Sequence, residues 1–291
     1  MSRLFSFKHN LMIPAVVTLV VIIVLPIIYS VYVSLHQYIL QFGLGRYIGL
    51  RNFLEAFSQT GFLNSIKNTF ILTFSVVILE FLIAFGLALL LDRKDLKAKK
   101  FYTIILLLPI MMPPITVGLI WRLLLHPDLG IINYLLSVVG IPKPGWYGNP
   151  LLAMPTVILV DVWHETSLML IIILSGLTSL DRTPFEAAYV DGANFFQTLW
   201  HVTIPLLAPI LTVAALIRTV AAIKTYDLIY ILTRGGPGAR TETMSHYIYV
   251  MAFRKMNMGS AAAQSFLLLF LIMGFVYLLF IATRVGKSRI E

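Results

Sequence analysis

No cysteine occurs among the 291 residues. That excludes a disulfide scaffold, thiolate zinc or iron–sulfur ligation and a cysteine nucleophile, and it leaves the redox compartment open. Charge is scarce too: Asp, Glu, Lys and Arg make up 12% of the chain, against about 25% in an average soluble domain. Acidic residues are the scarcer sign, 13 against 22 basic, for a net charge of +9. What fills the chain is apolar, with 59% hydrophobic residues and a mean hydropathy of +0.89. The composition is that of an integral membrane protein, so the basic excess reads first as membrane topology. The basic residues are dispersed and form no single stripe, which argues against nucleic acid as a partner.

A bilayer core about 30 Å thick takes about 20 apolar helical residues to cross. Six stretches qualify: 11–35, 66–91, 101–125, 151–178, 207–232 and 260–283. Lipid admits only helices or closed barrels, and runs this long without strict alternation choose helices. The first run is too long for a signal-peptide core and no small-x-small cleavage site follows, so it reads as a retained helix. No repeat or low-complexity tract divides the chain. The expectation is one all-α, polytopic domain over 1–291 with six transmembrane helices. Prolines 14, 26, 109, 113, 114 and 155 lie inside the runs, and the Pro109, Pro113, Pro114 cluster makes the third run the one most prone to bend or break.

Six crossings place both termini on one side. That side carries eleven Lys and Arg, the opposite loops eight, and three fall within spans. Five of the eleven crowd into residues 92–100. The positive-inside rule therefore predicts cytoplasmic termini in a bacterial inner membrane.

Between spans four and five the chain reads Asp181-Arg182-Thr183-Pro184-Phe185-Glu186-Ala187-Ala188-Tyr189-Val190-Asp191-Gly192-Ala193-Asn194. Thr183 as cap, Pro184 at the first helical position and Glu186 at the third predict a capping box. Gly192 permits the reversal that ends the short helix. A second short helix is expected from about Asn194 to Trp200, with span five beginning near Ile204-Pro205. The result is a compact helix–turn–helix over about 179–205 on the inner membrane face.

Glu186-Ala187-Ala188, Asp191-Gly192-Ala193 and Ile204-Pro205-Leu206 together resemble the EAA loop of permease subunits of binding-protein-dependent ABC importers. Leu232-Thr233-Arg234-Gly235-Gly236-Pro237, followed by Thr241-Glu242-Thr243, Tyr247 and Phe253, resembles a signature of the carbohydrate-uptake (maltose and glycerol-3-phosphate) permeases, as does Gly49-Leu50-Arg51-Asn52-Phe53. Arg234 departs from the pattern, which has glycine there. The resemblance implies a non-catalytic subunit that pairs with a second permease to form a path for a sugar or polyol. An extracytoplasmic substrate-binding protein delivers the solute, and two ATPase subunits bind ATP and Mg and grip the loops. Glu186, Ala187, Ala188, Asp191 and Gly192 are then the ATPase-coupling residues. No cofactor is expected in this chain: Gly286-Lys287-Ser288 mimics the tail of a P-loop, but Ile281 stands where its first glycine belongs.

Ionisable residues at bilayer depth mark function by default. Asp161, His164 and Glu165 share one face of span four; Glu80 lies in span two; Arg218, Lys224 and Asp227 lie in span five. With Trp163 and Tyr226 they are candidates for lining a solute path, since sugar hydroxyls bond to charged groups and ring faces lie on aromatics. The alternative is interhelical pairing, Arg218 with Asp161 or Glu80, or contact with the partner permease. A different class of function, ion-coupled secondary transport, would use Asp161 and Glu165 as coupling carboxylates, but a docking loop and six spans without inverted symmetry argue against it. An intramembrane enzyme lacks a nucleophile or metal set: His164-Glu165 opens an H-E-x-x-H pattern, yet Leu168 replaces the second histidine.

Overall fold

The computed structural model describes residues 12–93 and 95–287, without the side chains of 279 and 282–287. Arg3, Lys8, Lys94 and Arg289 of the topology count lie outside it, as do position 11, which opens the first predicted span, and Ser288 of the P-loop mimic. Helix dominates. In chain order the elements are α1 (Met12–Ser34), β1 (His36–Ile39), β2 (Gly43–Tyr47), α2 (Arg51–Ser58), α3 (Thr60–Asp92), α4 (Lys99–Leu107), a 3-10 turn (Pro109–Met111), α5 (Pro114–Leu124), α6 (Ile131–Val138), α7 (Ala153–Ser179), α8 (Thr183–Val190), α9 (Phe195–Ile223), α10 (Asp227–Leu232), α11 (Met244–Tyr249) and α12 (Met258–Lys287). They fall into two compact units, Met1–Leu63 with Tyr247–Leu271 and Asn64–His246 with Ile272–Glu291.

Among the described residues, five helices are long and apolar enough to cross a membrane: Met12–Ser34, Thr60–Asp92, Ala153–Ser179, Phe195–Ile223 and Met258–Leu278. The predicted third span, 101–125, is not one helix. It breaks into α4, the 3-10 turn and α5, because Pro109, Pro113 and Pro114 cannot donate to the helical ladder. Two side chains of α7 bond to carbonyls of the broken segment: Ser167 Oγ donates to Leu106 O at 2.7 Å and His164 Nε2 to Met112 O at 3.0 Å. Inside lipid such bonds are what make a helix break tolerable. The predicted fifth span, 207–232, is also corrected. Its helix begins twelve residues earlier, at Phe195, and stops at Ile223; a non-helical stretch at Lys224–Tyr226 precedes the separate α10.

The first unit holds an element absent from the all-α expectation. Strands β1 and β2 pair antiparallel, with His36 opposite Tyr47 and Ile39 opposite Gly43, whose φ of +77° makes the turn. Asn52, inside the Gly49–Phe53 motif, is buried and donates to the carbonyls of Ser34 and His36 at 2.8 and 2.9 Å, which fixes the chain where it leaves α1. The apolar side chains of α1 are exposed from Met12 to Tyr32, as a lipid-facing helix requires, and only Val33 at its end is buried.

In the second unit, two apolar clusters form the core. One joins Leu72 and Val76 of α3 with Val117, Val157, Val160, Leu228 and Ile229. The other joins Ala84, Ala88 and Leu91 of α3 with Met169, Ile173 and Leu177 of α7 and Leu207, Leu211 and Ala214 of α9. Small residues bring the helices close. At Gly176 an added Cβ would lie 2.8 Å from Ile210 and 2.9 Å from Leu207. Gly176→Val is therefore expected to cost about 1–3 kcal/mol by overpacking, read as a lower melting temperature of the detergent-purified protein; an unchanged melt would contradict this contact.

Candidate functional site

Arg218 of α9 is 2% exposed, among the largest fully buried side chains of the described residues. Its Nε donates to Glu80 of α3 at 2.5 Å and one Nη to the other Glu80 oxygen at 2.8 Å; the same nitrogen donates to Asp161 of α7. Glu80 and Asp161 are buried as well. Both partners left open by the sequence are thus taken, and one guanidinium joins three helices. The fork suits this: its planar donors match two carboxylates, which an ammonium does not.

A cavity of about 170 Å³ lies against this triad, lined by Asp161, His164, Glu165, Arg218, Lys224, Tyr226 and Asp227, with Pro114 and Thr225. Seven of the nine path candidates meet here. The gathering follows from two helix breaks, since the cavity sits where α5 begins at Pro114 and where the chain is non-helical at 224–226; irregular backbone at membrane depth belongs beside a cavity. His164 Nδ1 lies 3.1 Å from Glu165 Oε1. Tyr226 stacks on Tyr230 with ring centres 5.5 Å apart, and on His246 at 6.2 Å. Two candidates stand apart. Glu80 does not line the cavity and reaches it only through Arg218. Trp163 faces outward, 41% exposed, its ring edge-on to Trp121 at 5.5 Å; it stands two residues from both Asp161 and Glu165, and helical spacing places such positions on different faces.

The hairpin between α7 and α9 differs from its sequence reading in two respects. Thr183 does not cap: Arg182 occupies the N-cap position without a side-chain bond, and Thr183 instead donates from N–H and hydroxyl to Asp181 at 3.1 and 3.0 Å. Those bonds hold the Asp181 carboxyl below its usual range. The capping box is real but lies at the next helix, where Asn194 Oδ1 accepts from Gln197 N at 2.9 Å and Gln197 Oε1 accepts from Asn194 N at 2.8 Å. The second correction is that no separate second helix exists. The stretch from Phe195 runs through a π turn, Leu199–Thr203, directly into the membrane-crossing part of α9, with Pro205 just after the widened turn.

Gly192 ends α8 with φ of +76°, and Ala193 N donates to Ala188 O at 2.9 Å, the wrapped closure of a left-handed C-terminus. Helix α8 buries no side chain. Glu186, Ala187, Asp191 and Gly192 are exposed and Ala188 half-buried. Tyr189, Val190, Phe195, Phe196 and Trp200 are exposed apolar residues of the same hairpin. Sequence reasoning missed one contact here. Arg182 donates bidentately to Asp92, the last residue of α3, at 2.9 and 3.0 Å, and these bonds raise the guanidinium above its ordinary range. Ninety residues separate the two, so no local pattern announces the pair.

The second signature is a knot of hydrogen bonds. Thr241 Oγ1 meets Thr233 Oγ1 at 2.6 Å and donates to Gly236 O at 2.8 Å, while Asn68 donates to the carbonyls of Ala239 and Glu242. Arg234 adopts φ of +52°, the left-handed region that glycine enters without strain.

Comparison with known proteins gives consistent findings. The family described as "Binding-protein-dependent transport system inner membrane component" matches residues 84–286. The chain is similar to the trehalose/maltose transport system permease protein MalF of Thermococcus litoralis, 33% identical over 286 residues, covering 97% of this chain and 94% of that one. It is also similar to the sn-glycerol-3-phosphate transport system permease protein UgpA of Agrobacterium fabrum, 35% identical over 237 residues and 79% of each chain. In fold it matches a chain of the bacterial alginate ABC transporter solved in complex with an alginate pentasaccharide-bound periplasmic protein, with a TM-score of 0.82 at 22% identity over 94% of this chain and 92% of that one.

Removing Arg218 strands two buried carboxylates, a loss of about 3–5 kcal/mol for broken buried pairs. Arg218→Met is expected to lower the melting temperature in detergent sharply, and adding Glu80→Gln and Asp161→Asn to recover most of it. A triple variant as unstable as the single one would show that the triad is not what holds α3, α7 and α9 together.

Proposed function

The chain belongs to the family of binding-protein-dependent transport system inner membrane components, and from that premise we propose how this permease subunit of an ABC importer works. It is a multi-pass membrane protein and a transport component, which sets aside the ion-coupled alternative. In this reading it pairs with a second permease, both termini face the cytoplasm, and two ATPase subunits that bind ATP and Mg grip the hairpin through Glu186, Ala187, Ala188, Asp191 and Gly192. The observation that carries it is the continuity of Phe195–Ile223. The second arm of the hairpin is itself the start of a transmembrane helix, so a push that reaches Phe195 is carried to Arg218 along one continuous helix.

The cavity beside Arg218 is read as this subunit's wall of the solute path. At about 170 Å³ it falls short of the roughly 300–1,000 Å³ of a complete small-molecule pocket, which supports a site finished by the second permease. The relatives include permeases named for a neutral disaccharide and for a phosphate ester, so kinship does not choose the solute's charge. The lining does. Asp161, Glu165 and Asp227, with Glu80 on Arg218, outnumber Arg218 and Lys224, and such a surplus repels anions. We infer an uncharged sugar or polyol.

Two outcomes test this. Glu186→Lys and Gly192→Val are each expected to reduce uptake at least tenfold in cells that carry the complete importer, with the subunit still in the membrane at normal level; undiminished uptake refutes the coupling role. Uptake screening with the complete importer is expected to favour uncharged solutes over phosphorylated or uronic counterparts by at least tenfold, and the opposite preference would sink the charge argument.

A further inference from the structure

Two charges of the inner-side loops stand where their own helices disfavour them. Asp92 is the last residue of α3 and Arg182 the N-cap of α8. A helix C-terminus carries partial negative charge and an N-terminus partial positive charge, so each residue opposes the dipole beside it. Local structure therefore does not account for either. Their pairing does: Arg182 makes a two-bond fork to Asp92, whose side chain is only 16% exposed, and the guanidinium also lies 5.7 Å over the Phe185 ring of α8. Arg93, the neighbouring cation, is already paired with Asp95 at 2.6 Å.

Packing does little to hold α8 against α3. Helix α8 buries no residue. A cavity of about 210 Å³, lined by Leu89, Asp92, Arg182, Phe185, Phe195 and Leu199, occupies the space beside the pair. The backbone ties α8 to α7 through residues 180–182 and to α9 through residues 191–194; toward α3 it has no covalent tie, and the Arg182–Asp92 fork fills that role.

We propose that Asp92 and Arg182 are positioning residues, a joint that makes α3 travel with α8 when the ATPase subunits move the hairpin. Without it, a push on α8 reaches α7 and α9 along the chain but reaches α3 only at second hand, through the apolar packing of Ala84, Ala88 and Leu91 on those helices and the distant Glu80–Arg218 contact. This deepens the coupling reading given above and rests on it. An exposed ion pair is ordinarily worth little; this one differs in being bidentate, half-shielded and the bond between two elements that otherwise lack close packing.

The test uses the complete importer reconstituted in liposomes, reading solute taken up per ATP hydrolysed. Asp92→Asn and Arg182→Gln are each expected to lower that ratio at least fivefold while ATP hydrolysis stays within twofold of normal. The exchange of Asp92→Arg with Arg182→Asp rebuilds the pair in reverse and is expected to restore at least half of the ratio. It also places each charge at the helix end that favours it, so local helix stability cannot be the reason for its failure. Single variants with an unchanged ratio, or an assembled exchange variant as uncoupled as the singles, overturn the joint; if a single variant is lost from the membrane, the exchange variant decides alone. Glu186→Lys in the same assay separates the two ideas. If it too is silent, the coupling reading fails; if it uncouples while Asp92→Asn does not, only the joint fails.

Discussion

A guanidinium and two carboxylates buried at membrane depth are tolerable only together. Each ion carries a desolvation penalty of several kcal/mol even after relaxation, and lipid offers no water to relieve an unpaired one. Arg218, Glu80 and Asp161 therefore constrain one another, and through them α9, α3 and α7 are pinned at one level. Apolar side chains slide past one another at little cost in lipid; a three-way ionic contact does not. On either side of it along α3, Leu72 shares one apolar cluster with Val157, and Ala84 and Ala88 share another with Met169 and Leu211.

The cavity depends on the same contact. Arg218 is satisfied from the side of α3, which leaves Glu165, Lys224, Tyr226 and Asp227 to meet across the space left where α9 ends and α5 begins. Had Arg218 turned to Glu165, the cavity would be filled by an ion pair. Glu80, which does not line the cavity, engages the guanidinium from the α3 side.

Much of this was legible in the sequence, and the exceptions share a cause. Hydrophobic runs locate helices because lipid imposes length and composition, and Pro109, Pro113 and Pro114 marked the break because proline removes donors wherever it stands. Gly192 was legible for the same local reason. The errors arose where two local solutions were chemically equivalent. Thr183-Pro184-x-Glu186 and Asn194-x-x-Gln197 both satisfy a capping pattern, but α8 starts one residue early, so Thr183 lies inside the helix behind Arg182 and only Asn194 caps. The stop at Lys224 and the Arg182–Asp92 fork involve neighbours 18 and 90 residues away, which no short window contains; the β1–β2 hairpin pairs residues only 4 to 11 apart, but no Asn-Gly or Asp-Gly turn announces it.

Length along the helices then sets the mechanics. From Ser179 back to Asp161, and from Trp200 forward to Arg218, are eighteen residues each, or about 27 Å at 1.5 Å per residue. From Asp92 to Glu80 is twelve, about 18 Å. Three struts run from the inner hairpin to one ionic knot, tied at the near end by backbone at two and by a salt bridge at the third. A frame closed at both ends resists shear between its struts, so in the proposed mechanism a displacement of the hairpin would move α3, α7 and α9 as a body rather than bend one past another. In the proposed mechanism, alternating access then has to open a surface outside this frame, and the cavity at its far end is carried along with its lining intact. A charged path that kept its shape while its surroundings moved would hold the solute by the same hydroxyl contacts in both orientations, leaving the ATPases to supply the direction.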